Sequence, residues 1–226
     1  GNADNGGAIL NNNGTLTVNN STLTNNVASN YGGAIYIPSG TLNVNDSTLT
    51  GNKAGYAGGA IANSIGTVNI NNSTLTGNTA NVAGAIDNYR GNVNVDDSTF
   101  TGNSAGSIGG AISNSGFANV NNSTFTSNKA GYAGGAIWLD LPGGNLNIPG
   151  ILNVNSSSFI HNAASYGGAI YDRIITANLQ FSQIVGNLGN KEIYSSSGTV
   201  NAQNNWWGSN TSPATKIAGN VVYGPW

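Results

Sequence analysis

The 226-residue chain has no cysteine and a single histidine. Without cysteine there is no disulfide framework, no thiolate metal ligand and no thiol nucleophile. A His-based nucleophilic triad would rest on His161 alone. Charge is equally scarce: Asp, Glu, Lys and Arg make up 6% of the residues, against roughly 25% in ordinary soluble domains. At a net charge of −2 no basic surface exists to hold phosphates, so nucleic acid is not an expected partner. No apolar run approaches the roughly 18 residues of a membrane helix, and no membrane insertion of this chain is expected. The chain opens at Gly1 with neither an initiator Met nor a signal peptide. It therefore reads as a mature or trimmed fragment of a secreted protein.

What fills the chain instead is Asn, Gly, Ser and Thr, with 41 Asn and 34 Gly. Low charge of this kind would suit disorder if the apolar residues were scattered, but they recur at fixed intervals. Ile9, Ile35, Ile61, Ile86, Ile112, Ile137 and Ile170 each follow a Gly-Ala or Gly-Gly-Ala step, at intervals of 26, 26, 25, 26, 25 and 33 residues. A period in this range marks a repeat architecture. Aligning the copies gives three short strand-like segments per repeat: the Gly-Gly-Ala-Ile stretch, an alternating segment such as Leu42-Asn43-Val44, and a segment from Ser to Asn such as Ser47 to Asn52. Period-two alternation between Asn and Gly punctuation indicates strands, and no helical stripe of useful length is present.

These features predict an all-β fold: a right-handed parallel β-helix of seven or eight coils, with about 25 residues and three strands per coil, spanning residues 1–203. The Ile column, both apolar residues of the second strand and the Leu/Phe of the third are expected inside, with a run of Ala where the coil is tight. Asn26, Asn52, Asn78, Asn103, Asn128, Asn162 and Asn187 align in one column and are expected to form a structural amide ladder. An insertion lengthens coil six within residues 138–150, and such loops often carry binding. Residues 204–226 form a Trp-rich tail, in which Trp206, Trp207 and Trp226 are expected to cap the core exposed at the end of the solenoid.

The paired Gly-Gly-Ala-Ile and Leu/Phe-x-x-Asn motifs, over residues 6–187, resemble the repeats of the chlamydial polymorphic outer-membrane proteins. They are also similar to those of adhesin-like β-helix proteins of methanogenic archaea, whose units end in a stretch like Asn205 to Pro213. The resemblance implies a secreted, surface-displayed module used for adhesion or as a building block of the cell surface, and fold transfers through such a likeness better than function.

Parallel β-helices also host polysaccharide-active enzymes, and glycoside hydrolysis needs two carboxyl groups roughly 5–9.5 Å apart. Asp46 and Asp97 share a column two coils apart, with Asn72 between them; Asn20 and Asn122 fill the same column, which reads as a turn position. The basic residues stand singly, and no His or carboxylate cluster has metal-ligand spacing, which leaves room only for an isolated calcium held by Asp and backbone carbonyls. Neither a catalytic residue nor a cofactor is expected.

A binding surface has better support. The residue after each Ile varies as Leu10, Tyr36, Ala62, Asp87, Ser113, Trp138 and Tyr171, the behaviour of an outward column. Tyr36, Trp138, Asp140 and Tyr171 are the candidate contact residues, since aromatics beside polar groups suit glycan or protein partners. Asn20, Asn45, Asn72, Asn122, Asn155 and Asn210 lie in glycosylation sequons. The expected partners are cell-surface glycans or proteins, with homotypic end-to-end assembly as an alternative.

Overall fold

The computed structural model describes residues 1–141 and 150–226, and within them the repeats form a parallel β-solenoid. Every named strand pair is parallel and joins neighbouring coils. The first sheet stacks nine strands, from Ile9–Leu10 through Ile35–Ile37 and Ile61–Asn63 to Ile217–Ala218. The second also has nine, from Thr15–Asn19 to Val221–Val222, and the third has seven, from Thr22–Thr24 to Gln183–Val185. Residues 142–149, most of the expected insertion, lie outside the described residues.

Two expectations change. A fourth sheet of six strands, including Asn2–Asn5, Val27–Tyr31, Lys53–Ala54 and Ser104–Ile108, follows the third in each early coil. Its strands are uneven in length, and the register slips between Ala80 and Val82. A regular apolar alternation therefore never develops there, although Ala28, Ala54, Ala105 and Ala130 are buried as expected. Nine coils replace seven or eight. The eighth, expected in eroded form, is Ile193–Ser195 with Thr199–Asn201, and the added ninth is Ile217–Ala218 with Val221–Val222, inside the expected tail; both pair onto the preceding strands without a Gly-Gly-Ala lead.

One continuous core runs up the axis. Ile35, Leu42, Val44 and Leu49 are fully buried, as are their equivalents in the coils above. Phe100, Phe125 and Phe159 stack at 4.7 and 5.0 Å with interplanar angles of 9° and 7°. Strand neighbours in ordinary sheets rotate by about 20–25°, so rings this close to parallel report coils that hardly twist. Trp207 is fully buried and joins the same core, whereas Trp206 and Trp226 are 47% and 51% exposed.

Amides and hydroxyls hold the corners. Asn78 Oδ1 accepts from both the backbone N–H and the side-chain amide of Asn52, and its own amide donates to Asn103 Oδ1 and the Leu49 carbonyl. The pattern repeats from Asn26 to Asn187, and Asn187 donates to Glu192, which pairs with Lys216. A buried amide satisfied at every position stabilises rather than costs. At the preceding corner Ser47, Ser73, Ser98, Ser123 and Ser157 form a parallel hydroxyl ladder.

The Gly pair serves two needs. The first Gly adopts the left-handed region, as at Gly58 (φ +67°), and coil four manages this with Ala83 (φ 54°). The second has no such freedom to give: a Cβ on Gly84 would lie 2.2 Å from the Gly110 carbonyl oxygen.

Candidate functional site

The Gly pair turns the chain from the fourth sheet into the first, and the two sheets meet there in a concave corner. One wall is the outer column of the first sheet: Leu10, Tyr36, Ala62, Asp87, Ser113, Trp138, Tyr171 and Tyr194 in successive coils. The other is the end of the fourth sheet, where Tyr31, Ala57, Val82, Ile108, Ala133 and Tyr166 follow one another. Bulk along this corner is uneven. Towards the start Tyr31 stacks on Tyr36 at 5.6 Å and meets Tyr56 edge-on at 5.4 Å. Further along, Trp138 stacks on Tyr171 at 4.6 Å and Tyr171 on Tyr194 at 5.4 Å. Between the two aromatic groups come Ala62, Asp87 and Ser113, three small side chains in a row.

That gap is a cavity of about 570 Å³ lined by Tyr31, Tyr36, Tyr56, Asp87, Trp138 and Asp140, among others. Its aromatic ends, Tyr36 and Trp138, are four coil steps apart, about 19 Å at the usual strand spacing. The groove is long and narrow, with ring faces at its ends and polar groups on its floor. Tyr36 and Ser64 share a hydroxyl hydrogen bond of 3.1 Å at one side. At the other, Asp140 pairs with Arg173 at 2.9 Å.

Asp87 is the ionisable group at the centre of the floor. It keeps some contact with solvent at the groove mouth, but protein surrounds its carboxyl on the other sides. Burial pushes its pKa up to about 7, partly offset by the Ser113 hydroxyl. Burial also raises Tyr31, helped by the neighbouring Tyr56 and Tyr36. A carboxyl poised near neutrality can donate or accept a hydrogen bond, which suits a ligand rich in hydroxyl groups. A second carboxyl, Asp172, is fully buried just beyond the groove. Burial raises it to about 6 against the bonds it accepts from Ile175 N–H and Ser195 Oγ.

The expected contact residues are thus brought to one corner, with a change in their exposure. Trp138 and Tyr171 stand outside the core as an outward column should, yet each is only 7% exposed. They pack with Ala133, Ile108 and Tyr194 in a small second cluster. The fourth sheet, unforeseen from the sequence, covers them. Tyr36 remains half-buried and Asp140 lines the cavity. Tyr31 and Tyr56, just before the Gly steps, and Asp87, in the varying column, were legible as positions in the sequence; that they line one cavity with Tyr36 and Trp138 was not.

Asp46 and Asp97 lie elsewhere. They occupy the exposed corner between the second and third sheets at φ 49°, as Asn20, Asn72 and Asn122 do at 45–47°. Asp46 accepts from the Asn72 amide at 2.6 Å. His161 fills the matching left-handed corner after the third sheet, at φ 55°. Of the sequon residues, Asn20, Asn72, Asn122, Asn155 and Asn210 are exposed and Asn45 is half-buried. Among the described residues there is no group of three or more His, Cys, Asp or Glu placed to hold a metal.

Three stretches of the chain, residues 20–38, 97–115 and 122–140, match the Chlamydia polymorphic membrane protein repeat. Each begins at the left-handed corner before the third sheet and runs through the Gly pair into the first. Together they cover about a quarter of the chain and support a repeat of this type. No curated protein and no solved structure gives a significant match. Among the described residues no helix is long and apolar enough to cross a membrane.

Proposed function

We propose that this chain is a non-enzymatic, adhesin-like module of a cell surface, and that the corner groove binds an extended glycan. The observation that carries the reading is the pair of aromatic ends, Tyr36 with Tyr31 and Trp138 with Tyr171, on either side of the floor carboxyl Asp87. Ring faces stack on the apolar faces of sugars, while a few placed polar groups fix orientation through hydroxyls. The polymorphic-membrane-protein type of repeat supports display outside the cell. The terminal Asn205 to Pro213 stretch inclines the reading to the surface proteins of archaea, within which this chain would be one module.

An enzyme is the second reading, because Asp87 has the raised pKa of a general acid and Asp140 lines the same cavity. The separation argues for binding. Asp140 lies two coils above Asp87 and two residues further along its strand, about 12 Å away at the backbone by standard spacings. Hydrolysis with retention or inversion works over roughly 5–9.5 Å between the carboxyl groups themselves, and the Asp140 carboxylate is held by Arg173 of the next coil at 2.9 Å, on the side away from Asp87.

A glycan array probed with the native chain, followed by calorimetric titration of the best oligosaccharide, tests the proposal. Binding should weaken at least tenfold in both Tyr36→Ala and Trp138→Ala, with no shortening of the oligosaccharide over the incubation. Absence of any array signal, or affinity untouched by both changes, would refute the groove; cleavage products would establish the enzyme instead.

A further inference from the structure

The third sheet carries a second surface of a different kind. Its outer residues in the first five coils are Thr22 and Thr24, Thr48 and Thr50, Thr74 and Thr76, Thr99 and Thr101, and Thr124 and Thr126. The register is unbroken, so these ten threonines form two straight parallel columns. Between them Leu49, Leu75, Phe100 and Phe125 point inward and are fully buried. Spacing within the array is about 4.8 Å from coil to coil and about 6.6 Å along each strand.

Three properties set this face apart. It is flat, since the Phe100 and Phe125 rings directly beneath it lie within 9° of parallel, and such flatness normally needs side-chain ladders to hold it. The Ser ladder fixes one border and the Asn ladder the other. It carries no charged side chain. Its hydroxyls are also unclaimed: among the described residues the threonine hydroxyls with a protein partner are those of Thr67, Thr199 and Thr211, none of them in the array. Ten β-branched side chains with restricted rotamers therefore present hydroxyls and methyls to solvent at two fixed repeats.

We propose that the Thr face adsorbs to ice. Its coil-to-coil repeat of about 4.8 Å lies close to the shorter repeat of the oxygen atoms on a prism face of hexagonal ice. The hydroxyls substitute for lattice oxygens, the methyls rest in the hollows between them, and rigidity removes the ordering cost that a mobile surface would incur on contact. A soluble ligand of a few groups has no use for ten identical contacts; a periodic solid does. The array ends where the periodicity ends, at Ser158–Ile160 and Gln183–Val185, in which Ile160 and Val185 replace the second Thr. This surface lies on a different side of the coil from the glycan groove and stands whether or not the groove binds glycan.

Measuring thermal hysteresis, together with partition of the labelled native chain into a slowly growing ice hemisphere, tests the proposal. The native chain should open a gap between melting and freezing points and concentrate in the ice. Thr76→Tyr and Thr99→Tyr, at the centre of the array, should lose most of both effects. Thr67→Tyr, on the outer face of the second sheet, should keep them. Circular dichroism identifies any variant that fails to fold, and Thr76→Val, which removes one hydroxyl at constant volume, then takes its place with a partial loss expected. Exclusion of the native chain from ice overturns the proposal, as does full activity in the folded array variants.

Discussion

Two outer surfaces of the same coils are built by opposite rules. In the outer column of the first sheet the residue changes at almost every coil, from Tyr36 to Ala62, Asp87, Ser113 and Trp138. In the outer columns of the third sheet Thr recurs through five coils. Backbone spacing is the same for both, so the difference lies entirely in the side chains. Variation puts large next to small and opens a discrete cavity; repetition gives a lattice with no preferred position. The outer face of the second sheet shows a third outcome. There Asn43, Asn69, Asn94, Asn119, Asn153, Asn178 and Asn201 recur as faithfully as the threonines, but each amide bonds the next at 2.8–2.9 Å. An amide carries donor and acceptor far enough apart to reach a neighbouring coil, whereas in this array the shorter Thr hydroxyls make no such bond. Asn therefore closes its face, and Thr leaves its face to water.

The largest effect on both surfaces should come from the frame they share. Asn78→Ala removes four hydrogen bonds and takes a partner from the Leu49 carbonyl and the Asn52 N–H, while Asn103 Oδ1 keeps the Asn78 N–H and the Asn52 amide keeps the Leu23 carbonyl. Unsatisfied buried groups cost roughly 1–3 kcal/mol each, so a loss of about 4 kcal/mol is expected in chemical denaturation, allowing for relaxation. Glycan and ice binding should fall together. A smaller break confined to the groove is Gly84→Ala at the concave corner, where the new methyl meets the Gly110 carbonyl. Overpacking of this kind costs about 3 kcal/mol, and differential scanning calorimetry should show it.

Asp87 separates the two surfaces by pH. Its folded pKa of about 7 lies above the ordinary carboxyl value near 4, so between those values the folded state holds the extra proton. Stability therefore falls as pH rises from about 4 to about 7 and levels off above. Asp87→Asn should remove about 2 kcal/mol of that fall, read from melting temperatures across the range, leaving the part below about pH 6 that belongs to Asp172. Ice adsorption should not follow this titration. The smallest change expected is a gain: Ala83→Gly relieves a left-handed Ala at φ 54° and should raise stability by about 1 kcal/mol.

Repetition also decided what could be read from sequence. Ile, Leu, Val and Phe recur at one register, which made the core columns and the Asn26–Asn187 ladder visible without coordinates. The fourth sheet was hidden because Val27–Tyr31, Lys53–Ala54 and Ser104–Ile108 share neither length nor alternation. The ninth coil was missed because Ile217, like Ile193 of the eroded eighth, lacks the Gly-Gly-Ala lead. Two further Asn columns escaped notice for another reason. Asn63, Asn88 and Asn114 bond one another beneath the first sheet, and the Asn43–Asn201 column does so outside the second, but Asn is so frequent here that its alignment carried little signal. The groove was half legible: the varying column and the tyrosines before the Gly steps were identified, while the sheet that sets the two opposite one another was not.

The claim that variation along one column makes the binding site is tested most directly by putting bulk where the gap is. Ser113 lies on the groove floor between Asp87 and Trp138. Calorimetric titration of Ser113→Trp with the oligosaccharide selected by the native chain should show no binding, while thermal hysteresis stays at the native level and circular dichroism keeps the native β signal; Ser113 is buried, so a stability loss of about 1–3 kcal/mol is expected. Undiminished glycan affinity in a folded Ser113→Trp chain would contradict the account.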